Sequence, residues 1–426
     1  MSQSRIRLIR AAPDPLGLYI RAGRNDQTTL LSFMASGDAS LSGVVFDAKR
    51  VAKQRELLAQ VLDQKLDAVL DPQTQAMATV AGYGSAMDCL PWCAKRAHTH
   101  DDFARDLQRR RIAELIAQFV VEHGFTQVLA PTHLVAGADD PWLDIDVATA
   151  NALRLALERG GAAHVQIIYS LAVSYDAFRV ASKRTGILER LRASSADAIW
   201  LNVEGCGSDS NGTRVTRYAD AAANFHVLGK PVVADHVGGL VGLSLLAFGA
   251  VGGLAHGVTL GERFDTNHWR KSSKGTPFAQ HTRVYIPQLD WQLTRIDAER
   301  LFESGTKAKA AFGCHDTDCC ARGITGMLQA PGRHFLYQRT REVGGLSQIP
   351  ESLRPQRFLE EHVRPASDRA LLATKLQLPQ LLADKARLQS KRLDDMRIEL
   401  GEYARKHRDA TFARHPVTRV AREARG

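Results

Sequence analysis

Three cysteines and a histidine stand close together near residue 320, in a pattern that can bind a metal ion. Cys314, Cys319 and Cys320 are followed by His334, with the spacing C-x4-C-C-x13-H. Three thiolates and one imidazole can complete a tetrahedral zinc site. We therefore predict that these four residues hold one zinc ion. The alternative is a set of small buried cysteines or redox-active thiols.

A second group of possible ligands lies in segment 72–102, which is long for a loop. Cys89, Cys93, His98 and His100 follow one another there with the spacing C-x3-C-x4-H-x-H. Long loops often carry binding residues or lids. Histidines are common in loops, so a metal in this segment is the weaker of the two metal hypotheses.

Polar residues follow several short hydrophobic runs. They are Asp47, Asp71, Thr132, His133, Tyr169, Ser170, Glu204, Asp235, His236 and His256. If the runs are parallel strands, their carboxyl ends meet on one face, where ligands bind. Carboxylates and imidazoles that converge there suit general acid-base or covalent catalysis, whereas any single one can instead cap a helix. We predict a catalytic pocket lined by Asp71, Glu204, Asp235, His236 and His256.

Glycines are frequent near the last of these runs. They are Gly238, Gly239, Gly252, Gly253 and Gly257. Glycine lets backbone amides approach a phosphate closely, and barrels commonly bind phosphate near their last strands. The glycines therefore predict a phosphate site, with close packing of helix on sheet as the alternative.

The hydrophobic runs that would position these residues recur along the chain as β-branched segments. There are eight, at 43–47, 67–71, 127–131, 165–169, 198–204, 231–235, 253–256 and 283–287. Segments with helical periodicity lie between them, at 48–64, 103–123, 146–160, 176–193, 213–229 and 240–252. This alternation is typical of βα units around a parallel sheet. Eight strands favour a closed (β/α)8 barrel like that of triosephosphate isomerase (a TIM-like barrel), whereas six or seven would favour an open doubly wound sheet.

Composition and length are those of a large globular protein. The 426 residues are 44% hydrophobic and 24% charged, which excludes a largely disordered chain. Residues 1–300 are predicted to form the barrel with an N-terminal extension, 301–350 a Cys-rich zinc-type subdomain, and 351–426 a basic helical extension. No run reaches the length of a membrane span and the N-terminus lacks a secretory signal, so we expect a cytoplasmic protein.

The net charge of +10 favours a polyanionic partner, and the positive residues are concentrated at the C-terminal end. The predicted nucleic-acid contacts are Arg405, Lys406, Arg408, Arg414 and Arg419. Aromatic rings are interleaved with them, at Tyr403, His407, Phe412 and His415. Clustered cations beside aromatic rings suit phosphate contacts with base stacking, so RNA or DNA is the expected partner.

Segment 165–334 resembles the tRNA-guanine transglycosylase superfamily, a group of zinc-containing barrels that exchange guanine for a deazapurine base. The resemblance rests on the order of four features: Glu204-Gly205, the Lys-Pro-initiated run 230–235, the run 253–256, and the Cys314, Cys319, Cys320 and His334 group. It implies a zinc site at the last group and a general-base role for Asp71. Two features differ from the family pattern. The family zinc spacing is C-x-C-x2-C with a distant histidine, and His256 stands where the family has a nucleophilic aspartate.

The sequence therefore predicts an enzyme similar to tRNA-guanine transglycosylases that modifies a base or acts on a glycosidic bond in RNA or DNA. Two alternatives remain. One is a catalytically inactive barrel that binds nucleic acid or a protein partner. The other is a metal-dependent hydrolase that uses His133, Asp235, His236 and His256, because His and Asp side chains at strand ends can ligate divalent ions.

Overall fold

The computed structural model describes residues 15–37, 41–270 and 283–407. Within them, eight parallel strands close into a barrel, as the closing pair β4 and β6 shows. The barrel strands are β1 (Gly17–Ala22), β2 (Gly43–Asp47), β3 (Asp67–Asp71), β4 (Gln127–Leu129), β6 (Gln166–Val173), β7 (Ala198–Val203), β8 (Val232–Asp235) and β9 (Gly253–Gly257). The short strand β5 (Leu134–Val135) extends the sheet beside β6. The predicted (β/α)8 fold is confirmed.

Alternate residues of the strands face the barrel axis, because successive side chains of a strand point to opposite faces. The axis is filled by an apolar cluster separate from the main core: Tyr19, Val45, Val69, Leu129, Ile168, Ala198, Trp200, Val233 and Ala255. Two residues further along their strands, Arg21, Asp47, Asp71 and Asp235 face the same axis at the carboxyl ends. This end of the barrel is called the mouth below.

The helices surround the barrel and continue beyond it. They are α1 (Gln27–Ala35), α2 (Arg55–Asp63), α3 (Thr74–Met77), α4 (Asp106–His123), α5 (Pro141–Arg159), α6 (Tyr175–Arg179), α7 (Ala181–Leu191), α8 (Gly212–Ala223), α9 (Gly239–Ala247), α10 (Asn267–Arg270), α11 (Arg295–Glu303), α12 (Thr306–Phe312), α13 (Ile324–Gln329), α14 (Pro331–Gln348), α15 (Arg354–Phe358), α16 (Arg364–Ala373) and α17 (Gln380–Lys406). Left-handed Gly124 ends α4, and left-handed Gly229 follows the 3₁₀ turn after α8, as is common at the ends of helices. None of the described helices is long and apolar enough to cross a membrane.

Two of the strand assignments differ from the prediction. The run 283–287 is not the eighth barrel strand, because β10 (Arg283–Ile286) pairs antiparallel with β11 (Trp291–Thr294) in a separate two-stranded sheet. The missing barrel strand is β1, which was not among the predicted runs and which pairs with both β2 and β9. A short connection joins β10 to β11, as an antiparallel pair permits, whereas parallel neighbours need a long crossover.

The C-terminal helices pack on the barrel, and their buried residues belong to the same core. Helix α14 lies against β10 and α1, and α17 lies against α8. Arg392 of α17 donates to Ser208 O after β7 and pairs with Asp290 at 2.7 Å. Arg339 of α14, almost fully buried, pairs with Glu262 at 2.9 Å. These ion pairs anchor the helices to the loops around the barrel mouth.

Candidate active site at the barrel mouth

Arg21 occupies the centre of the barrel mouth and holds two carboxylates. Its Nε and Nη2 donate to the two oxygens of Asp235 at 2.8 and 2.5 Å, and its Nη1 donates to Asp71 at 2.7 Å. Asp71 also accepts from the Gln73 amide at 2.7 Å. Burial raises the pKa of Asp235, but the charge of Arg21 outweighs this effect and the net pKa is lowered. The charge of Arg21 therefore favours the anionic form of Asp235.

Asp235 lies at the mouth, as predicted, but its contacts also hold neighbouring strands together. Its side chain is fully buried, and the bidentate ion pair with Arg21 connects β8 to β1 across β9. It was predicted to line the catalytic pocket. Burial and pairing give it a structural role as well.

Asp47 is a third carboxyl group at the mouth. It ends β2 and stands opposite Asp71 in the register of β2 and β3. Its side chain is 19% exposed and pairs with Arg50 at 2.8 Å. Burial and the neighbouring Asp71 charge raise the pKa of Asp47. The pocket predicted from the sequence omitted this residue.

Neutral hydrogen-bonding groups line the other half of the mouth. Gln75 Nε2 donates to Thr132 Oγ1 at 3.0 Å and to the carbonyl and hydroxyl oxygens of Ser170 at 3.1 Å. Asn202 Nδ2 donates to the same hydroxyl at 2.7 Å. The buried Asn202 Oδ1 has no hydrogen-bond partner among the described residues. This half therefore offers an unused acceptor beside fixed polar groups.

Glu204 and His236 lie at the rim of the mouth, as predicted. Glu204 follows β7, accepts from the Thr266 hydroxyl and pairs with Arg270 at 2.9 Å. His236 has a left-handed backbone with φ 58°, and its Nδ1 lies 3.2 Å from Gly261 O. Its side chain is one-quarter exposed, and burial lowers its pKa. Glu204 ties the loop after β7 to the loop after β9, and His236 remains accessible.

His256 does not line the pocket, contrary to the prediction. Its neighbour Ala255 faces the barrel axis, so the His256 ring points outward and packs edge-on against Phe335 of α14 at 5.6 Å. Its Nδ1 lies 3.0 Å from Gly257 O, and the side chain is fully buried. The period of two along β9 thus places Gly257, and not His256, at the mouth.

Most of the predicted phosphate-binding glycines are not free for a ligand. The amino end of α9 is capped from within, because Asp290 Oδ1 accepts from Leu240 N at 2.9 Å. A Cβ at Gly239 would lie 2.5 Å from the same oxygen, and one at Gly238 would overlap Glu262. Two carboxylates of the protein thus occupy the space where a phosphate would bind, and the glycines make room for them.

Gly252 and Gly253 lie at the opposite end of the barrel from the mouth. Gly252 accepts from Gly17 N at 2.9 Å, where β1 and β9 begin. Of the five, Gly257 alone lines the cavity beside the mouth. A Cβ there would lie 2.2 Å from Leu260 O, so the glycine permits a tight turn after β9. The prediction of a shared phosphate site at these five positions is wrong.

The four residues of the predicted metal site converge and are all buried. Their ligand atoms lie within 4.8 Å of one another, and this is the one such group of at least three found in the described part of the chain. His334 Nδ1 lies 3.2 Å from Cys319 Sγ and 3.4 Å from Cys320 Sγ, and the two sulfurs are 3.8 Å apart. Tetrahedral zinc places two thiolates about 3.8 Å apart. Cys314, Cys319, Cys320 and His334 therefore form a group able to hold a metal ion.

Neighbouring groups orient the ligands of this group. His334 Nε2 donates to Tyr285 O at 3.1 Å, which leaves the Nδ1 lone pair directed at the sulfurs. Gln338 Nε2 donates to Cys319 Sγ at 3.3 Å. Hydrogen bonds from Cys319 and Cys320 lower the pKa of Cys314, so this set of thiols favours one thiolate. These contacts are the ones expected around ligands of a metal.

The second candidate metal group and the hydrolase set do not converge into a group of three or more among the described residues. Cys89 is exposed, whereas His98 is buried. His133 Nδ1 lies 2.6 Å from Asp146, and its ring stacks on Trp142 at 3.6 Å. Burial lowers the pKa of His133 to about 3, which keeps the ring neutral near pH 7. With His256 facing outward as well, the metal-hydrolase interpretation loses its ligands.

The predicted nucleic-acid residues begin far from the mouth. Tyr403 donates to Asp220 at 3.0 Å and packs against Phe248 at 5.1 Å, near the ends of α8 and α9 that lead to the amino ends of the strands. It is buried and unavailable for base stacking, contrary to our expectation. Arg405 and Lys406 end α17 nearby. Arg408, Phe412, Arg414, His415 and Arg419 lie outside the described residues.

A cavity of about 660 Å³ opens beside the charged half of the mouth. Arg21, Asp47 and His236 lie on its wall, and so does Arg333 of the Cys-rich segment. The same space therefore touches the barrel mouth and the neighbourhood of the predicted metal group. A molecule of nucleotide size fits this volume.

Comparison with known proteins gives structural likeness only. No protein-family model and no curated protein matches this chain. An intracellular xylanase from Thermoanaerobacterium saccharolyticum aligns over 62% of this chain and 93% of its own, at 8% identity and TM-score 0.38. A protein assigned as a phosphonomutase from Burkholderia cenocepacia aligns over 57% of this chain and 87% of its own, at 18% identity and TM-score 0.34. The carboxyl transferase domain of Rhizobium etli pyruvate carboxylase aligns over 91% of this chain and 62% of its own, at 10% identity and TM-score 0.38. At these low values the likeness says nothing about activity.

Proposed function

We propose that this protein is an enzyme that acts on the glycosidic bond of a base in RNA or DNA, in the manner of the tRNA-guanine transglycosylase superfamily. The observation that carries the proposal is the divided barrel mouth. Carboxyl groups and Arg21 line one half, and neutral amide and hydroxyl groups line the other. Breaking a glycosidic bond needs an acid for the leaving base and a carboxylate to assist the attack.

The neutral half of the mouth suits recognition of a base. A base taken out of its stack is read by hydrogen bonds to its polar edge. Asn202 Oδ1 is buried and has no hydrogen-bond partner among the described residues, so it would accept from a base N–H that enters beside it, and Ser170 fixes the orientation of the Asn202 amide. In this proposal, Asp71 takes the general-base role that the resemblance implies.

The proposal departs from the superfamily in how the bond is attacked. In the described chain, β9 presents Gly257 to the mouth, and His256 faces outward. This strand therefore supplies no carboxylate for a covalent intermediate. We propose direct attack on the sugar carbon by water or by an incoming free base.

We propose that the metal held by Cys314, Cys319, Cys320 and His334 is zinc and that its role is structural. Thiolate and imidazole are ligands that zinc prefers, and four protein ligands complete its shell. All four residues are buried, so no open position faces a substrate. The metal would hold the start of α14 against the barrel.

The activity can be tested by incubating the protein with RNA and DNA oligonucleotides and measuring base release, or incorporation of labelled free guanine. We expect Asp71→Asn to lower the rate at least about 100-fold, because a positioned base contributes about that much or more. Asp63→Asn is the matched control, since Asp63 is exposed and ends α2. Equal rates for Asp71→Asn and the unchanged protein would contradict the proposal.

A catalytically inactive barrel is the second candidate, favoured by one observation. Arg21 already pairs with Asp71 and Asp235 and neutralises part of the carboxylate charge. If the protein binds oligonucleotides but neither releases nor incorporates a base, the mouth serves binding alone.

We also propose that the C-terminal cations contact nucleic acid. Because Tyr403 is buried and anchors α17, a truncation should begin after His407. Deleting residues 408–426 removes Arg408, Arg414, Arg419, Arg422 and Arg425. We expect weaker binding and a dependence of log affinity on log salt that is shallower by roughly 2 to 4, since each phosphate contact contributes about 0.9 to this slope for duplex DNA.

The truncation is measured by fluorescence anisotropy with a labelled oligonucleotide at several salt concentrations. Deletion of 421–426 is the matched control, because it removes only two of these arginines and should change the slope less. An unchanged affinity and slope in the longer truncation would show that the tail does not contact nucleic acid.

A further inference from the structure

The positive charge of Arg21 compensates the three carboxyl groups at the mouth unequally. Asp47, Asp71 and Asp235 end neighbouring or nearby strands and face the axis. Arg21 donates to Asp235 and Asp71 through three nitrogens, and no hydrogen bond from it reaches Asp47 among those described. The ion-pair partner of Asp47 is Arg50, whose side chain is 31% exposed and screened by water. Asp47 is thus the least compensated of the three.

The strand register sets Asp47 beside a second carboxylate. Asp47 and Asp71 are partners in the parallel pair of β2 and β3 and lie on the same face. The charged groups that face Asp47 are Arg21 from β1, Asp71 from β3, and Lys49 and Arg50 from the adjacent 3₁₀ helix. A carboxylate on the partner residue of the same face disfavours ionisation of Asp47, to which Arg21 donates no described hydrogen bond. Burial and Asp71 together raise the pKa of Asp47.

We propose that Asp47 is the proton donor of the barrel mouth and Asp71 its paired acceptor, so that the two act as one acid-base pair on the glycosidic bond. The assignment rests on the proposed function and adds a residue to it. Arg21 is engaged by Asp71 and Asp235, so Asp47 is the carboxyl group at the mouth that lacks this cation as a direct partner.

The proposed step balances without an added oxidant or reductant. Asp47 gives its proton to a nitrogen of the leaving base as the carbon–nitrogen bond breaks, and the electron pair of that bond stays on the base. Asp71 takes the proton of the attacking water, or of the N–H of an incoming base, as the lone pair of that molecule forms the new bond to the sugar carbon. A proton then returns from Asp71 to Asp47, which restores the pair.

The test measures carboxyl titration in the full protein, with no nucleic acid present. Aspartate labelled with ¹³C at Cγ is incorporated, and NMR spectra are recorded from about pH 3 to 9. The expected result is a carboxyl signal with a midpoint above the ordinary value of about 3.9. This signal should disappear in Asp47→Asn and remain in the control Asp63→Asn. An ordinary midpoint for Asp47 overturns the proposal.

A second variant keeps the test independent of the folding of Asp47→Asn. In Asp71→Asn the neighbouring charge is gone, so the midpoint of the raised signal should fall by at least about half a pH unit. An unchanged midpoint overturns the pairing. The two proposals fail separately. If the protein releases a base but Asp47 has an ordinary midpoint, the acid-base pair is overturned. If the midpoint of Asp47 is raised and shifts in Asp71→Asn but no base is released, the pair is supported and the proposed activity is overturned.

Discussion

Replacing Cys319 by serine should release the zinc ion that we propose for this site and destabilise the helices around it. Apparent binding free energies for structural zinc are about 10–16 kcal/mol in small zinc peptides, and binding is coupled to folding. We therefore expect Cys319→Ser to lower zinc content from near one per chain to below about 0.2 and to reduce the free energy of unfolding by at least about 3 kcal/mol. Elemental analysis and urea unfolding measure the two effects.

Two other cysteines provide matched controls. Cys89 is exposed and Cys206 is buried away from the metal group, so Cys89→Ser tests the loss of any thiol and Cys206→Ser the loss of a buried one. Both should retain zinc. The prediction would be contradicted if the protein without substitutions held less than about 0.2 zinc per chain. It would also be contradicted if Cys89→Ser lost as much zinc as Cys319→Ser.

The effect of zinc loss should extend to the barrel, because α14 connects the metal group to the last barrel strand. His334 and Phe335 are adjacent, and Phe335 packs on His256 of β9. One turn further, Arg339 pairs with Glu262 in the loop after β9 and stacks on Tyr285 at 4.1 Å. A shift of α14 would therefore displace the last barrel strand and the loop that follows it.

The barrel could be predicted from the sequence because hydrophobic runs and helical segments alternate along most of it. Seven of the eight predicted runs correspond to barrel strands, whereas the run 283–287 is a hairpin strand. Periodicity alone cannot tell a parallel from an antiparallel partner. β1 was missed, although Gly17–Ala22 is rich in β-forming residues, since Arg21 interrupts its apolar pattern.

The metal group and part of the pocket were also predictable from residue type. Four soft or borderline ligands within about twenty residues are typical of structural zinc sites. The pocket was harder, because a strand end does not by itself reveal which face a residue occupies. Counting in steps of two from a residue on the axis would have placed Gly257 in the mouth and excluded His256. The same count from Trp200 reaches Asn202, which was not among the predicted pocket residues.

Long-range ion pairs could not be predicted from the sequence. Asp290 fills the amino end of α9 and pairs with Arg392 of α17, about one hundred residues away. Two of the glycines that suggested a phosphate site, Gly238 and Gly239, make room for Glu262 and for this carboxylate. Arg21 likewise pairs with Asp235, which lies 214 residues later in the sequence. Such pairs depend on tertiary contacts that local patterns do not encode.

Replacing Arg21 by methionine should destabilise the protein by about 3–5 kcal/mol near pH 8, because it leaves Asp235 and Asp71 without their cation. Arg21 holds the pKa of Asp235 below its usual range against the effect of burial. Without Arg21, we expect burial, the largest influence, to outweigh the remaining contacts with His236, so that the pKa of Asp235 rises above its unfolded value. The folded variant then binds protons more readily than the unfolded chain, so its stability recovers as the pH falls from 8 toward 5. The unchanged protein behaves oppositely at Asp235, losing stability as the pH falls through the lowered pKa.

Urea unfolding at pH 8 and pH 5 measures how much stability Arg21→Met loses relative to the unchanged protein. This loss should be smaller at pH 5. Arg24→Met is the control, because Arg24 is exposed in the turn that follows β1 and its replacement should change stability by less than about 0.5 kcal/mol. The double variant Arg21→Met with Asp235→Asn should regain part of the loss at pH 8, since it removes the fully buried unpaired charge. A loss that is the same at both pH values and is not relieved in the double variant would mean that Arg21 stabilises the mouth by filling space, and that its charge does not set the ionisation of the carboxyl groups around it.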